Sequence, residues 1–569
     1  MQIIWPSPTQ KIAKVGIGIL ILSSIIVLRL FYLQITLSDF FSFQSKKNFT
    51  RMEKVPSPRG NILDRNNRFL ATNRPTIDLY WQGSGKSSLT TAQQKTLQKI
   101  EDILTISITD NQELMRTITT AEKRHKPVLL ANNIPFDHMC KIEEQCFNNQ
   151  NILLRNSFKR YYPYHSYASH IVGYLGNFDF KIVGKMGLEQ LFENMLQGEQ
   201  GIVLNTINSL GRHLNQQEVK RSLAGNNIKI TLDIELQDIL EEVFPQEYSG
   251  TFIVMDAVDG DILGVVSRPN FDPSLFLEHM KKESWNMLQE KQLFLNRAFN
   301  ATYPPGSIFK LITTSAALEH NIIQQDATWH CNGHVSFANR QYHCNKRDGH
   351  GHLSLHTGLV KSCNAMFFEI GKQVSIDILA DYAQRFGLGK PTRIIFPEKS
   401  GLVPSMDWKL QTKGERWWPG ETLSAAIGQS YLLVTPIQIA RMISSIFTGY
   451  LVTPRIVVNE PIIKEPLDIQ DSTRTFLQEA MRYVVEDGTG RGAKIKDIEL
   501  YAKTSTAQTS AYNKRCLGSI YLEHGWFVAY LKYKDHKPLT LVILVEHAGT
   551  ARVATNIAKK FLLKYKKLR

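Results

Sequence analysis

Apolar residues are spread unevenly along this chain of 569 residues. Val15 to Leu28 is an uncharged run, preceded by Lys11 and Lys14. Apolar character continues past Arg29 through Leu30, Phe31, Tyr32, Leu33 and Ile35. A helix of that length spans a bilayer. A cleaved signal peptide shares the basic start and the apolar run. The residues after the run are large, with no small-x-small cleavage site, which favours an uncleaved anchor. The pattern therefore predicts a stub at 1–11 and a transmembrane helix at 12–36. The short stub, with its two lysines, is expected to stay cytoplasmic, which places everything after residue 36 outside.

Beyond the anchor the pattern changes. In Ser57-Pro58-Arg59-Gly60-Asn61-Ile62-Leu63-Asp64-Arg65, Pro and Gly imply turns around a short strand. Leu89 to Asn149 reads as mostly helical and polar on one face. Gly201 to Leu232 is strand-rich, and apolar positions at Leu236, Ile239 and Leu240 predict a helix after it. Thr251 to Met255 and Asp261 to Val266 read as buried strands, with Asp259-Gly260 as a hairpin signal between them. There is no internal repeat and no regular βαβ alternation. The expectation is an α+β protein whose large C-terminal domain is a sheet flanked by helices. The domain boundary is expected near Asn227, giving one module at 37–226 and another at 227–569.

Composition narrows the class only a little. The length suggests two to four folded units, and the globular balance of residues argues against bulk disorder. A net charge of +15 suits nucleic acid, anionic lipid or an acidic polymer and does not choose among them. The basic residues cluster only at Lys559, Lys560, Lys564, Lys566, Lys567 and Arg569, which reads as the solvated face of a terminal helix. Six cysteines are too few for a disulfide framework.

Chemistry enters at Tyr303-Pro304-Pro305-Gly306-Ser307-Ile308-Phe309-Lys310. Pro and Gly force a turn, and an apolar helical run follows. A serine opening a helix is usually an N-cap. Lys310, three residues on, changes that reading, because helical spacing puts its amine one turn from the hydroxyl. A desolvated lysine can take a serine proton. About fifty positions later comes Ser362-Cys363-Asn364 before a helical run, and then Lys503-Thr504-Ser505-Thr506 before strand-like segments. Order, spacing and local context match the three-part constellation of active-site-serine penicillin-binding proteins and β-lactamases.

With Arg59-Gly60-Asn61-Ile62-Leu63-Asp64-Arg65, Arg160-Tyr161-Tyr162-Pro163, Gly187-Leu188-Glu189, Thr231-Leu232-Asp233, Asn296-Arg297-Ala298, Ile427-Gly428-Gln429, Thr435-Pro436 and Gly488-Thr489-Gly490, the chain resembles class B penicillin-binding proteins over nearly its whole length. Gly349-His350-Gly351-His352, in a long insert, makes it most similar to the elongation-type penicillin-binding protein 2 family. The resemblance implies a transmembrane helix, an elongated pedestal or dimerisation module at 37–226, and a β-lactamase-like transpeptidase domain at 227–569 with a central antiparallel sheet. It implies a serine D,D-transpeptidase of the bacterial cytoplasmic membrane, catalytic domain in the periplasm, acting on peptidoglycan stems ending in D-Ala-D-Ala and acylated by β-lactams. Ser307 would attack, Lys310 would take its proton, Ser362 would relay a proton to the leaving amine, and Lys503 would hold its electrostatics. Asn364 would bind the peptide backbone, and Thr504 and Thr506 the terminal carboxylate. Backbone N–H groups of Ser307 and Thr506 would form the oxyanion hole. No cofactor is needed for this chemistry. Expected partners are a SEDS-family glycosyltransferase and a rod-complex protein, with no nucleic acid.

One residue departs from the pattern. The family's third motif is Lys-Thr-Gly or Lys-Ser-Gly, and here Ser505 stands at the glycine position. Glycine on a strand marks a close approach. A serine there could point into the cleft, which would slow acylation by bulky β-lactams, or into the domain behind. Cys331, Cys344, His350 and Cys363 form a second candidate site, since three thiolates and an imidazole can close a structural zinc site. His343, His352 and His356 are alternative imidazoles, and a Cys331–Cys344 disulfide or plain buried thiols are the competing readings. Some elongation-type relatives carry a metal there. Competing functions are a non-catalytic scaffold, for which Ser505 is the only support, a division-type transpeptidase, and a β-lactamase or carboxypeptidase.

Overall fold

The computed structural model describes residues 8–147, 149–178, 181–207, 213–277, 280, 282–510 and 512–569. The first seven positions of the expected stub lie outside the described residues. Helix α1 (Pro8–Phe31) continues through a π-helical turn, Tyr32–Thr36. Its apolar stretch Ile12–Thr36 has 25 residues and is not buried among the described residues. At the helical rise it reaches about 37 Å, against about 30 Å of bilayer hydrocarbon. It fits a single-pass membrane anchor.

The chain divides into two compact units. The first takes residues 1–58, 73–159 and 198–225. Thr50–Val55, Gly201–Ile207 and His213–Lys220 make a three-stranded antiparallel sheet there. Helices Thr91–Leu104, Gln112–Arg124 and Phe136–Gln145 enclose a small core of Leu79, Trp81, Leu97, Ile100, Ile118 and Ile142. The buried Glu122 carboxylate in this core accepts from Trp81 Nε1 at 3.0 Å and Gln93 Nε2 at 2.9 Å.

The second unit is discontinuous in sequence: residues 59–72, 160–197 and 226–569. Three of the motif fragments that carry the resemblance meet inside it. Glu189, with no exposed surface, receives Arg59 Nε at 2.6 Å and Arg160 Nε at 2.7 Å. Arg59 also reaches Glu193 at 2.7 Å. These motifs tie separate chain segments together by a buried ion cluster.

The centre of this unit is a sheet of five antiparallel strands: β1 (Gly250–Asp256), β2 (Ile262–Arg268), β3 (Glu499–Ala507), β4 (His524–Lys532) and β5 (Leu539–Val545). Their order is β2-β1-β5-β4-β3. Every residue of β1, β2 and β5 is buried, because helices cover both faces. That explains the unbroken apolar runs in the sequence, where a half-exposed strand would alternate. Phe252, Val254, Phe527 and Ile543 face a core shared with α2 (Ile234–Val243) and α7 (Arg552–Leu568). Ile253, Met255, Val528 and Val542 face the opposite core, shared with α3 (Lys310–Glu319), α4 (Asn364–Gln373), α5 (Pro436–Thr448) and α6 (Asp471–Glu486). On α7, Phe561, Leu562 and Tyr565 are buried while Lys559, Lys560 and Lys567 are exposed. The C-terminal charge cluster is thus the outer side of a core helix.

Candidate active site

Ser307 lies in a tight turn, Gly306–Ile308, that feeds α3. The N-cap position of α3 is Phe309, so the Ser307 hydroxyl is not spent as a helix cap. The turn is pinned from three sides. Tyr303 N–H donates to Val434 O at 2.9 Å, Gly306 N–H to Gly428 O at 2.9 Å, and Trp526 Nε1 to Pro304 O at 3.2 Å. Gly306 and Gly428 both have positive φ, 55° and 73°. A Cβ on Gly428 would lie 2.2 Å from Gly306 O, so only glycine permits the two backbones to touch there.

Lys310 is fully buried at the start of α3. Its Nζ donates to Ser362 O at 2.8 Å, Asn364 Oδ1 at 2.7 Å and Ser362 Oγ at 3.3 Å. Burial pulls its pKa down to about 7, against an upward pull from Cys363 and Cys344. Ser362 ends the loop before α4 in the left-handed region, φ 54°, a conformation a side chain adopts only when its surroundings compel it. Lys503, on β3, is also fully buried and donates to Ser362 Oγ at 3.1 Å. Burial holds its pKa well below the usual lysine range, and the Lys310 charge lowers it further. A serine hydroxyl between two desolvated amines is a device for moving a proton.

The remainder of the third motif is also in place. Thr504 Oγ1 donates to Thr489 Oγ1 at 2.5 Å. Thr506 is exposed, and its Oγ1 accepts from Ala551 N–H at 3.1 Å. β3 is an edge strand of the sheet, paired with β4 among the described residues, and it packs against the Gly306–Ile308 turn. An extended peptide can add to such an edge by backbone hydrogen bonds. Ser505 does not project into open cleft. It is buried, and its Oγ accepts from the Ser307 N–H at 2.8 Å.

Sequence reasoning gave no role to the support behind the nucleophile. Glu546 accepts from Tyr303 OH at 2.6 Å and Arg297 Nε at 2.9 Å. Arg297 lies in a motif quoted for the resemblance, but its partner is 249 positions away. No local signal could have paired them.

Cys331, Cys344, His350 and Cys363 converge, with all four ligand atoms within 4.8 Å of one another. The cysteines are free thiols, so the Cys331–Cys344 disulfide is not formed. Cys344 Sγ lies 3.7 Å from Cys363 Sγ and 3.5 Å from His350 Nδ1, and Cys331 Sγ lies 3.7 Å from the same nitrogen. A tetrahedral zinc ion has edges of about 3.8 Å between sulfurs and about 3.6 Å between sulfur and nitrogen. The donor set suits zinc, and these three spacings match those edges. His343, His352 and His356 are not in the cluster. Cys140 and Cys516 are exposed, Cys146 is half-buried, and none of the three belongs to it.

Residues 250–563 match the penicillin-binding protein transpeptidase domain, and residues 54–230 the penicillin-binding protein dimerisation domain. The peptidoglycan D,D-transpeptidase MrdA of Acinetobacter baumannii is 28% identical over 96% of this chain and 86% of its own length. The enzyme of the same name from Escherichia coli (strain K12) is 24% identical over 96% and 92%. Among solved structures, penicillin-binding protein PBP2 in complex with MreC from Helicobacter pylori superposes with a TM-score of 0.78 at 30% identity, covering 91% of this chain and 99% of that one. A structure described as a peptidoglycan synthase complex coordinating polymerization and crosslinking gives 0.75 at 27%, covering 99% of both chains. A fold built around these three motifs, both domain matches and full-length relatives together show that the chain belongs to the class B penicillin-binding protein 2 family of peptidoglycan D,D-transpeptidases.

Proposed function

We propose that this chain cross-links peptidoglycan stem peptides through an acyl-enzyme on Ser307. The observation that carries the reading is the Ser362 hydroxyl held between the amines of Lys310 and Lys503, 3.3 Å and 3.1 Å away. Ser307 Oγ forms an ester with the carbonyl carbon of the penultimate D-alanine, and Lys310 takes the hydroxyl proton. The oxyanion is held by the N–H groups of Ser307 and Thr506. The peptide bond to the terminal D-alanine breaks, and the leaving amine receives its proton through Ser362, whose position Lys503 fixes. An amine from a neighbouring stem then attacks the ester and frees Ser307. Two smaller barriers replace one large one. Asn364 and the β3 edge hold the donor stem extended, and Thr504 and Thr506 meet its terminal carboxylate.

The family matches at 54–230 and 250–563 support a pedestal at 37–226 followed by a catalytic domain at 227–569, although residues 59–72 and 160–197 pack in the same compact unit as the latter, and the apolar helix supports an anchor at 12–36 after a stub at 1–11. Lys11 and Lys14, on the N-terminal flank of the apolar helix, support a cytoplasmic N-terminal side and a periplasmic catalytic domain. The likeness to a PBP2–MreC complex and to a peptidoglycan synthase complex supports an MreC-like rod-complex protein and a SEDS-family glycosyltransferase as partners. Cys331, Cys344, His350 and Cys363 would hold a structural zinc ion. It would supply a cross-link and no catalytic step, bracing the loop in which Cys363 separates Ser362 from Asn364.

Labelling with a fluorescent penicillin, wild type against Ser307→Ala, tests the reading, with mass spectrometry of the acylated peptide. The expected result is an adduct on Ser307 that the alanine variant loses. Folded protein that takes no label, in wild type and in Ser505→Gly alike, would leave a non-catalytic scaffold.

A further inference from the structure

Ser505 is 2% exposed and faces the nucleophile turn. Its Oγ accepts the Ser307 N–H at 2.8 Å. The two segments are so close that a Cβ on Gly306 would lie 2.3 Å from that oxygen. The N–H in question belongs to the nucleophile itself and is one of the two donors proposed for the oxyanion. A backbone N–H carries a single hydrogen, so it must change partners before it can serve a ligand's carbonyl. When it does, the buried Ser505 oxygen loses a donor, and the exchange is not free.

We infer that Ser505 is a specificity-determining residue: its hydroxyl competes with the ligand's carbonyl oxygen for the Ser307 N–H and favours ligands that bind firmly elsewhere in the cleft. The inference rests on acyl transfer at Ser307. A stem peptide lying along β3 gains backbone contacts away from the reacting carbonyl, and that remote binding offsets the displacement of the hydroxyl. A compact bicyclic β-lactam has fewer such contacts, so the competition falls mainly on it. The substitution therefore slows the drug more than the substrate.

The test uses full-length protein in detergent, wild type, Ser505→Gly and Ser505→Ala. Alanine keeps the Cβ and removes only the oxygen. Penicillin acylation is resolved into a binding constant and a maximal rate, D-alanine release from a stem peptide is measured beside it, and thermal midpoints are recorded. Both variants are expected to raise penicillin acylation about three- to tenfold, mainly in the maximal rate, with a smaller gain on the peptide. Acceleration by glycine but not alanine would assign the effect to bulk and overturn the inference. So would unchanged or slower acylation in both, or equal gains on penicillin and peptide. Should the glycine variant unfold, alanine alone decides. If mass spectrometry finds no adduct on Ser307 in any of the three, the acyl-transfer reading itself has failed, a different result from an adduct whose rate does not move.

Discussion

The Lys503 amine sits 3.1 Å from the Ser362 hydroxyl, although the two residues are 141 positions apart. The same oxygen is 3.3 Å from the Lys310 amine. Two buried ammonium charges so close disfavour one another. The bridging hydroxyl can pass a proton between them.

Removing the bridge is expected to cost more than one hydrogen bond. Ser362→Ala and Lys503→Ala should each slow acylation by about 10²- to 10⁴-fold, the range of a positioned proton-transfer group. The double variant should fall little further, because the groups act as one unit. Stopped-flow acylation by penicillin checks this. Multiplicative losses would mean that the two residues act independently.

The rate should also follow the state of Lys310. Only its neutral form accepts the Ser307 proton, and burial lowers its pKa to about 7. Acylation is therefore expected to rise with pH through about 7 and level off above it. A flat profile from pH 6 to 9 would exclude Lys310 as the base.

The sulfur and imidazole cluster predicts bound metal. Protein purified without chelator should contain one equivalent of zinc by elemental analysis. Cys331→Ser should lose it and melt at lower temperature. Acylation should fall as well, since Cys363 lies between Ser362 and Asn364. Metal-free wild type with unchanged stability and rate would remove zinc from the account.

The buried ion cluster gives a stability prediction far from the chemistry. Glu189→Ala strips the buried Arg160 of its carboxylate partner and leaves Arg59 with Glu193 alone. Breaking a buried pair on one side costs about 3–5 kcal/mol. Denaturant unfolding should show that loss, while any Ser307 acylation that remains at low temperature should be nearly normal.

Gly428→Ala tests the backbone contact behind the nucleophile. The new Cβ would meet Gly306 O, and the φ of 73° is itself unfavourable for alanine. Acylation is expected to drop at least tenfold, with the turn displaced. A crystal structure of the variant with an unmoved turn and normal rate would contradict this.

The anchor and the local settings of Ser307, Ser362 and Lys503 are legible in the sequence. Turn, loop and strand signals act over a few residues, and each motif carries its own. The sheet itself is partly legible, because strands buried on both faces read as plain apolar runs. The direction of Ser505 is not. Period-two alternation says which residues share a face, but not that the nucleophile turn lies behind that face. Glu546 with Arg297 and Tyr303 is hidden for the same reason. So is the recruitment of residues 59–72 and 160–197 into the second unit, since chain order does not reveal which distant segments an ion cluster will join.

β3 ends the sheet, and its side away from β4 has no strand partner among the described residues. Those of its outward N–H and C=O groups that solvent reaches, as at the exposed Thr506, are hydrated when no peptide lies along them. An arriving stem therefore exchanges hydrogen bonds to solvent for hydrogen bonds to the enzyme, and the gain comes mainly from liberated water. The contribution of this edge should consequently be nearly independent of the donor strand's side chains. An enzyme that must release each cross-linked product before it takes the next donor is well served by such a grip.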